Sequence, residues 1–324
     1  MPNKYAKKKG WNVPKQKYIL SNFSDYNAAL GSRGDITVWL SEAAIAQWYV
    51  QDRVYDGTGT PIWYSDFAII TCHEIRQVYH LPLRQTQGFI NSLFKLLDVP
   101  LLCPDYTVLS KRLRALSIKL PRYRNTDKPD DGVHAIAIDS TGLKRFGRGE
   151  WHNEKYELSS KASWRKFHAA VNQNHYFEAC TVTDRFCHDD SQIKPLLEQI
   201  NEPIDQFTGD GAYDETPVYE VLAHSPNADV VIPPRANAVV KDTAAALRNR
   251  NIREIEENGR MQWQKDRQYG RRNYGELGFY RYQGILVSSL HAREIKRQEQ
   301  EVMIGCGVIN KMSSLGMPAS HRST

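Results

Sequence analysis

The chain has 324 residues, of which 41% are hydrophobic and 25% are charged, and its formal net charge at pH 7 is +6. This composition excludes an integral membrane protein and a wholly disordered chain. No apolar run approaches the roughly 18 residues that a membrane-spanning helix needs, and the basic first residues are not followed by the apolar core of a secretory signal. We therefore expect a folded protein that works in the cytoplasm and has no membrane partner.

Positive charge is concentrated in four segments of the sequence, at residues 1–20, 111–125, 144–166 and 267–272. The last two interleave aromatic side chains with the cations, which suits nucleic acid because phosphates take the charge and bases stack on rings. Lys144 and Trp164 are the candidate contact residues of the third segment. Each segment taken alone could also be an ordinary hydrated surface, and composition does not choose between the two interpretations.

Helical periodicity dominates the first part of the chain. Apolar residues recur at a spacing near 3.6 in residues 66–80 and again in residues 83–97, which predicts two helices separated by a Leu-Pro step. A shorter helix is predicted near residues 39–48. Together these elements predict an entirely helical N-terminal region, residues 1–125.

One further predicted helix in this region begins at Asp105, which can cap it, and ends at Leu116. One side of this helix is apolar. The opposite side carries short polar and cationic residues at helical spacing: Thr107, Ser110, Lys111 and Arg114. This is the layout of the recognition helix in a helix-turn-helix DNA-binding region. An ordinary amphipathic helix with a hydrated side explains the pattern equally well.

Residues 126–324 follow a stretch of turn-forming residues and have a different pattern. The predicted elements are a strand at 134–139, a hairpin of strands at 167–172 and 176–184, a helix at 191–200, a strand at 204–210, a helix at 214–222, a strand at 229–234 and one long helix from about 273 to 312. Three sequential strands before the first helix match the topology of the ribonuclease H fold, so the predicted class is α/β.

Two aspartates occupy equivalent places in this pattern. Asp139 ends one predicted strand and Asp210 ends another, and ligands bind at strand ends in open α/β sheets. If the strands are neighbours, the two carboxylates can share divalent cations that activate a water molecule on a phosphodiester. A third acid is needed, and the spacing leaves four candidates: Glu276, Glu294, Glu299 and Glu301. Each aspartate taken alone could also be a turn cap.

Three motifs of the sequence resemble the DDE transposases of the IS5 family of bacterial insertion sequences. They are Asp-Ser-Thr-Gly-Leu-Lys from Asp139, Thr-Gly-Asp-Gly-Ala-Tyr-Asp around Asp210, and Tyr-Gly-Arg-Arg-Asn-Tyr-Gly-Glu from Tyr269. The motifs occur in the family's order. Their acids are 71 residues (210 − 139) and 66 residues (276 − 210) apart.

The family's C-terminal signature is Tyr, two residues, Arg, three residues, Glu, six residues, Lys. This chain matches the signature at Tyr269, Arg272 and Glu276, whereas Gln283 takes the place of the lysine. The glutamine amide can still bond a phosphate oxygen or a base edge, but it carries no charge. The resemblance assigns DNA contacts to Tyr269, Arg272 and Gln283.

The resemblance also implies a fold and an activity. The fold is a ribonuclease H-like, retroviral integrase-like catalytic domain at residues 126–324, with a small insertion at about 234–263. Asp139, Asp210 and Glu276 would hold two Mg²⁺ or Mn²⁺ ions and catalyse strand cleavage at transposon ends and transfer into target DNA.

The implied partners are double-stranded DNA and a second copy of the chain. The DNA comprises the terminal inverted repeats and the target, and a homodimer on DNA follows because two ends must be handled together. The place of action would be the nucleoid in the bacterial cytoplasm. Two alternatives remain open. A catalytically silent, domesticated DNA-binding protein or repressor would lack flanking inverted repeats, and a non-transposing metal nuclease would not join a 3′-OH end to a second duplex.

Overall fold

The computed structural model describes residues 17–51, 62–121, 133–145, 164–223, 227–240 and 246–323. The N-terminal part opens with a strand, β1 (Tyr18–Leu20), which pairs antiparallel with β8 (Ser320–Arg322) from the opposite end of the chain. The prediction of an entirely helical region is therefore wrong at this point, because a three-residue strand is too short to show a period. The predicted boundary near residue 125 lies outside the described residues.

Helices make up most of the N-terminal part. In the described ranges they are α1 (Phe23–Ser32), α2 (Ile36–Trp39), α3 (Glu42–Ala46), α4 (Asp66–Val78), α5 (Leu83–Leu96) and α6 (Tyr106–Arg112). Helices α4 and α5 confirm the two periodic segments. Asp105 caps α6 as expected, since its carboxylate accepts the Thr107 amide at 2.8 Å. Helix α6 is shorter than predicted, because the chain tightens into a 3₁₀ turn at Leu113–Ala115.

A six-stranded sheet forms the centre of the second part. Its strands are β2 (Ala135–Arg145), β3 (Trp164–Asn172), β4 (Phe177–Asp184), β5 (Gln206–Thr208), β6 (Asp229–Val231) and β7 (Ser289–Leu290). They lie in the order β4-β3-β2-β5-β6, and β7 pairs with the end of β2. Strands β2 to β4 are antiparallel neighbours, whereas β5 and β6 run parallel to β2. This mixed α/β arrangement is consistent with the predicted ribonuclease H-like fold.

The sheet separates two hydrophobic cores. Helices α7 (Ile193–Leu197) and α8 (Thr216–Leu222) join β4 to β5 and β5 to β6, and they cover one face. The other face is covered by the last two helices of the chain, and this core continues into the N-terminal helices. Its members from the two parts include Trp48, Cys72, Ile75, Phe94, Leu109, Phe167, Phe177, Phe279, Val302 and Ile309. The N-terminal helices are thus packed on the helices of the sheet.

The last part of the chain contains two helices where the sequence predicts one long helix. Helix α11 (Asn273–Ile285) and helix α12 (Ile295–Ser314) are separated by β7. The helix ends because Leu286 leaves helical geometry, at φ −91° and ψ −110°. Strand β7 then pairs with the end of β2, where Lys144 is the register partner of Ser289. A period count cannot detect this interruption, because the competing strand partner is distant in the sequence.

The predicted insertion at about 234–263 contains helical structure. In the described residues it forms α9 (Ala246–Asn258) and leads into α10 (Arg260–Asp266). Gly259, with φ of +78°, makes the break between them. Asn251 ties α9 to the sheet by donating to the Val230 carbonyl at 2.9 Å. Among the described residues no helix is long and apolar enough to cross a membrane.

Candidate active site

Two adjacent parallel strands bring Asp139 and Asp210 together. Ala137 of β2 is the register partner of Thr208 of β5, so the residues two positions further along each chain lie side by side. Asp210 lies two residues after the end of β5 and caps the next turn, accepting the Ala212 amide at 2.9 Å. The prediction that Asp139 ends its strand is wrong, because pairing with β3 continues to Lys144. The neighbouring strand β5, and not β2, ends beside Asp139.

Helix α11 carries Glu276 to the same place. The helix packs closely on β2 because Gly275 has no side chain: a Cβ there would lie 3.1 Å from the Asp139 Cβ. Gly278 permits a similar approach one turn later, where a Cβ would lie 3.0 Å from a Val171 methyl carbon. These two glycines let the backbone of α11 contact the sheet and set Glu276 beside the aspartates.

The three carboxylates converge on one cation, the guanidinium of Arg272. Its Nη1 donates to Glu276 Oε1 at 2.6 Å, and its Nη2 lies 4.0 Å from Asp139 Oδ2 and 3.9 Å from Asp210 Oδ2. We call Asp139, Asp210 and Glu276 the acid cluster. Arg272 lies in a 3₁₀ turn, Tyr269–Arg272, that precedes α11. The signature residues therefore span two elements, although Arg272 and Glu276 still meet at a spacing of four.

Burial shapes the electrostatics of the cluster. Burial raises the pKa of Asp139 to about 6, and the neighbouring Asp210 and Glu276 carboxylates act in the same direction. The Ser140 amide, which donates to Asp139 at 2.8 Å, and the Arg272 charge oppose this rise. Burial and neighbouring negative charges disfavour the ionised form of a carboxylate, and a nearby cation stabilises that form.

The acid cluster has the chemistry of a divalent-cation site. Its carboxylate oxygens are the ligands that Mg²⁺ and Mn²⁺ prefer, and a cation already draws the three side chains together here. In the described part of the chain, however, no three acidic, histidine or cysteine side chains are placed to share one metal ion. The donor atoms are of the kind that bind these ions, and in this structure the Arg272 guanidinium is the cation that they surround.

Two of the other three candidates for the third acid, Glu294 and Glu301, are engaged elsewhere. Glu294 pairs with Arg114 at 3.1 Å, on the segment that leads into α12. Glu301 accepts the amides of His291 and Ala292 at 3.0 and 2.8 Å. Of the four glutamates that the sequence leaves open, Glu276 is the one that the structure brings to the aspartates.

The remaining signature residues flank the cluster. Tyr269 lies against Trp263, with 6.0 Å between ring centroids, and burial raises the pKa of its phenol. Gln283 donates to Thr141 Oγ1 at 3.2 Å and to the Gly142 carbonyl at 3.3 Å. The position that holds lysine in the family signature therefore bridges α11 to β2 in this chain.

Lys144 and Trp164 are register partners on β2 and β3. Strand alternation directs both to the face of the sheet opposite to Asp139. The Trp164 ring covers Gly142, where a Cβ would lie 3.4 Å from a ring carbon. These two candidates form an aromatic and cationic pair behind the acid cluster.

The four candidates on α6 and the turn after it form a separate group. Thr107 bonds its hydroxyl to Asp105 at 2.6 Å, and Arg114 pairs with Glu294. Ser110 and Lys111 lie on the same helix. Within the described residues, no hydrogen bond or ion pair joins any of the four to the acid cluster. The structure therefore brings together the acids, Arg272 and Gln283, and it leaves the helix-turn-helix candidates on the N-terminal side.

Sequence reasoning missed the residues that set the spacing of the site. A glycine inside a helix ordinarily signals only lower helix propensity, so the pattern alone gives Gly275 no role. Gly209 is similar, since a Cβ there would lie 3.1 Å from the Tyr213 ring that packs behind the Asp210 turn. Gly275 directly precedes Glu276, and Gly209 directly precedes Asp210. This position before a candidate acid is the signal that could have identified the two glycines.

Comparison with known proteins agrees with this geometry. Two family profiles, both described as a transposase DDE domain, match residues 31–148 and residues 134–311. The second match covers more than half of the chain, and no solved structure matches. The chain belongs to the family of transposase DDE domains. It is therefore a DNA transposase, of the polynucleotidyl-transferase type of enzyme.

Proposed function

We propose that this transposase is of the IS5 type and that it cleaves DNA at the ends of its element and joins the freed 3′ end to target DNA. The observation that carries the proposal is the convergence of three carboxylates, from β2, the turn after β5 and helix α11, on one cation. Grouped carboxylates of this kind can hold divalent cations, and such cations stabilise the negative charge that accumulates on the phosphate oxygens during phosphodiester cleavage.

Asp139, Asp210 and Glu276 are the residues that would hold two Mg²⁺ or Mn²⁺ ions. Bound there, the ions would activate the attacking water or 3′ hydroxyl and stabilise the leaving oxygen. Arg272 must then leave the acid cluster. A DNA phosphate is its natural new partner, because the guanidinium fork matches phosphate oxygens and remains charged at any working pH.

Other residues of the chain would orient the DNA. Tyr269 offers a ring and a hydroxyl beside Arg272, and Gln283 offers an amide two helical turns beyond Glu276. Thr107, Ser110, Lys111 and Arg114 would recognise the element's own ends through α6, while Lys144 and Trp164 supply further cationic and stacking contacts. Two ends must be held together, so we propose a homodimer on DNA, acting on the nucleoid in the bacterial cytoplasm.

The test uses the inverted repeats that should flank the gene. A labelled duplex carrying one such end is incubated with purified protein, Mg²⁺ and a supercoiled plasmid. We expect a cut at the element boundary and a product in which the labelled 3′ end is joined to the plasmid. Binding without any cut would instead favour a silent DNA-binding protein. A cut without joining would favour a nuclease.

A further inference from the structure

An exposed stripe on α11 leads away from the acid cluster. Glu276, Tyr280 and Gln283 follow one another at spacings of four and three residues, so they share one face of the helix. Tyr280 is 75% exposed and forms no hydrogen bond or ring contact with any other described residue. An aromatic side chain presented in this way, one turn beyond a catalytic candidate, can stack on a nucleic-acid base.

The stripe follows β2 towards its end, because Gln283 contacts Thr141 and Gly142. A group of arginines lies at that end. Arg145 ends β2, and its guanidinium contacts the Arg293 carbonyl at 3.5 Å. Arg114 and Arg297 flank the same place, and both pair with Glu294, at 3.1 and 3.5 Å. We call Arg114, Arg145, Arg293 and Arg297 the basic end. Neither Arg145 nor Arg293 forms an ion pair with an acid in the described part of the chain.

Arg145 of the basic end leaves β2 on the same face as Asp139. Asp139, Thr141 and Arg145 are separated by even numbers of residues, so their side chains leave the same side of the strand. Six residues of strand, at about 3.3 Å each, place Arg145 about 20 Å from Asp139. Phosphates follow one another every 3.4 Å along a DNA strand, so this distance corresponds to about six nucleotides.

The geometry points to the path of the DNA on this enzyme. The duplex leaves the acid cluster along Tyr280 and Gln283 and reaches the basic end, where Arg145 and Arg293 hold its backbone about six base pairs from the scissile phosphate. This path rests on the proposed function, because it extends the same site. A DNA backbone fits this surface better than an acidic protein does. The arginines of the basic end can bind its phosphates, and the exposed Tyr280, which lies between the acid cluster and the basic end, can stack on a base.

The experiment compares two variants of the full-length protein. One carries Arg145→Gln together with Arg293→Gln. The control carries Lys194→Gln on α7, a 71% exposed lysine on the other face of the sheet. A fluorescent random-sequence duplex is titrated over a series of KCl concentrations without divalent ions. Two lost phosphate contacts should reduce the slope of log affinity against log salt by about 1.8, and the control should keep the wild-type slope.

The outcomes separate the two proposals. A double variant with the wild-type slope would overturn the path while leaving the proposed function intact. Failure of the wild type to bind any duplex would contradict the proposed function as well.

Tyr280 is tested on a duplex with a single-stranded 3′ tail. Tyr280→Ala should lower affinity for the tailed duplex about tenfold, whereas Tyr280→Phe should keep it, because stacking needs the ring and not the hydroxyl. The blunt duplex is the control DNA, and its affinity should change less. Unchanged affinity of Tyr280→Ala for the tailed duplex would remove the tyrosine from the path.

Discussion

Gly275 of helix α11 packs so closely on Asp139 of strand β2 that a Cβ at residue 275 would lie 3.1 Å from the aspartate Cβ. This contact joins the two elements that carry the first and last acids of the site. The position of Glu276 therefore depends on Gly275, which has no functional group in a side chain.

Gly275→Ala should therefore impair catalysis. The added methyl group displaces α11 by a few tenths of an ångström, and we expect cleavage to fall about tenfold or more as Glu276 moves. Gly284→Ala on the same helix is the control, since a Cβ there meets nothing within 4 Å. The control should be neutral or stabilise the fold by up to about 1 kcal/mol. Equal cleavage rates in the two variants would show that the close packing does not position the site.

Arg272→Gln should tighten binding of Mn²⁺ by the DNA-free protein. The guanidinium competes with a metal for the three carboxylates, and its removal should raise affinity about tenfold, well within the ~4 kcal/mol that a unit charge exerts at 4 Å near a protein surface. Calorimetry measures this without any DNA. Arg271→Gln is the neighbouring control, because Arg271 donates to Gln206 at 2.8 Å. Weaker Mn²⁺ binding after Arg272→Gln would mean that Arg272 supports the metal site.

Stability should depend on pH through His134 at the start of β2. Its hydrogen bond to Glu178, at 3.1 Å, raises the pKa of the folded imidazole to about 9, above about 6.5 in the unfolded chain. This contribution is complete below about pH 6.5 and is lost as pH rises to about 9. The urea midpoint of the wild type should therefore fall between pH 6 and pH 9.5 by more than that of Glu178→Gln. Parallel changes in both proteins would contradict the assignment.

The inserted helix α9 should depend on one buried ion pair. Arg248 Nε donates to Asp214 Oδ1 at 2.8 Å, and the aspartate side chain is fully buried. Arg248→Ala leaves that charge unpaired and should lower the free energy of unfolding by about 3–5 kcal/mol. Arg235→Ala removes an exposed pair with Glu215 and should cost at most about 1 kcal/mol. Urea unfolding of both variants makes the comparison, and a similar small loss in each would show that the insertion is held by other contacts.

Local patterns predicted much of the fold. Periodicity identified α4 and α5, capping chemistry identified the start of α6, and the order of strands indicated the mixed sheet. Each of these depends on residues close together in the sequence. The break between α11 and α12 and the pairing of β1 with β8 could not be predicted in this way, because their partners are far away in the chain.

The shared core has a similar explanation. Helical periodicity and a stretch of turn-forming residues suggested a separate N-terminal unit. Cys72 and Ile75 of α4, however, pack in one cluster with Val302 and Ile309 of α12. An amphipathic pattern shows which side of a helix is buried without showing what covers it. A fragment that ends near residue 125 would expose this apolar surface and should not bind DNA as an independent unit.

Asp139 and Asp210 could be proposed from predicted strand ends, although β2 continues past Asp139, and Glu276 could be proposed from the signature. Their spacing could not be predicted, because it depends on the register of β2 with β5 and on the close approach at Gly275. The position of Arg272 among the carboxylates was also unforeseen. The resemblance assigns it a DNA contact, which stays a prediction, and the structure shows it bonded to Glu276 at 2.6 Å.

The most direct test of the account measures cleavage and binding on the same end duplex for Asp139→Asn, Asp210→Asn and Glu276→Gln. Each variant keeps the size of the side chain and removes its charge. Each should lose cleavage in Mg²⁺ by about a hundredfold or more and bind the duplex within a few-fold of the wild type. Glu299→Gln, the matched control on α12, should cleave normally. Wild-type cleavage by any of the three variants would contradict the assignment of that residue to the active site.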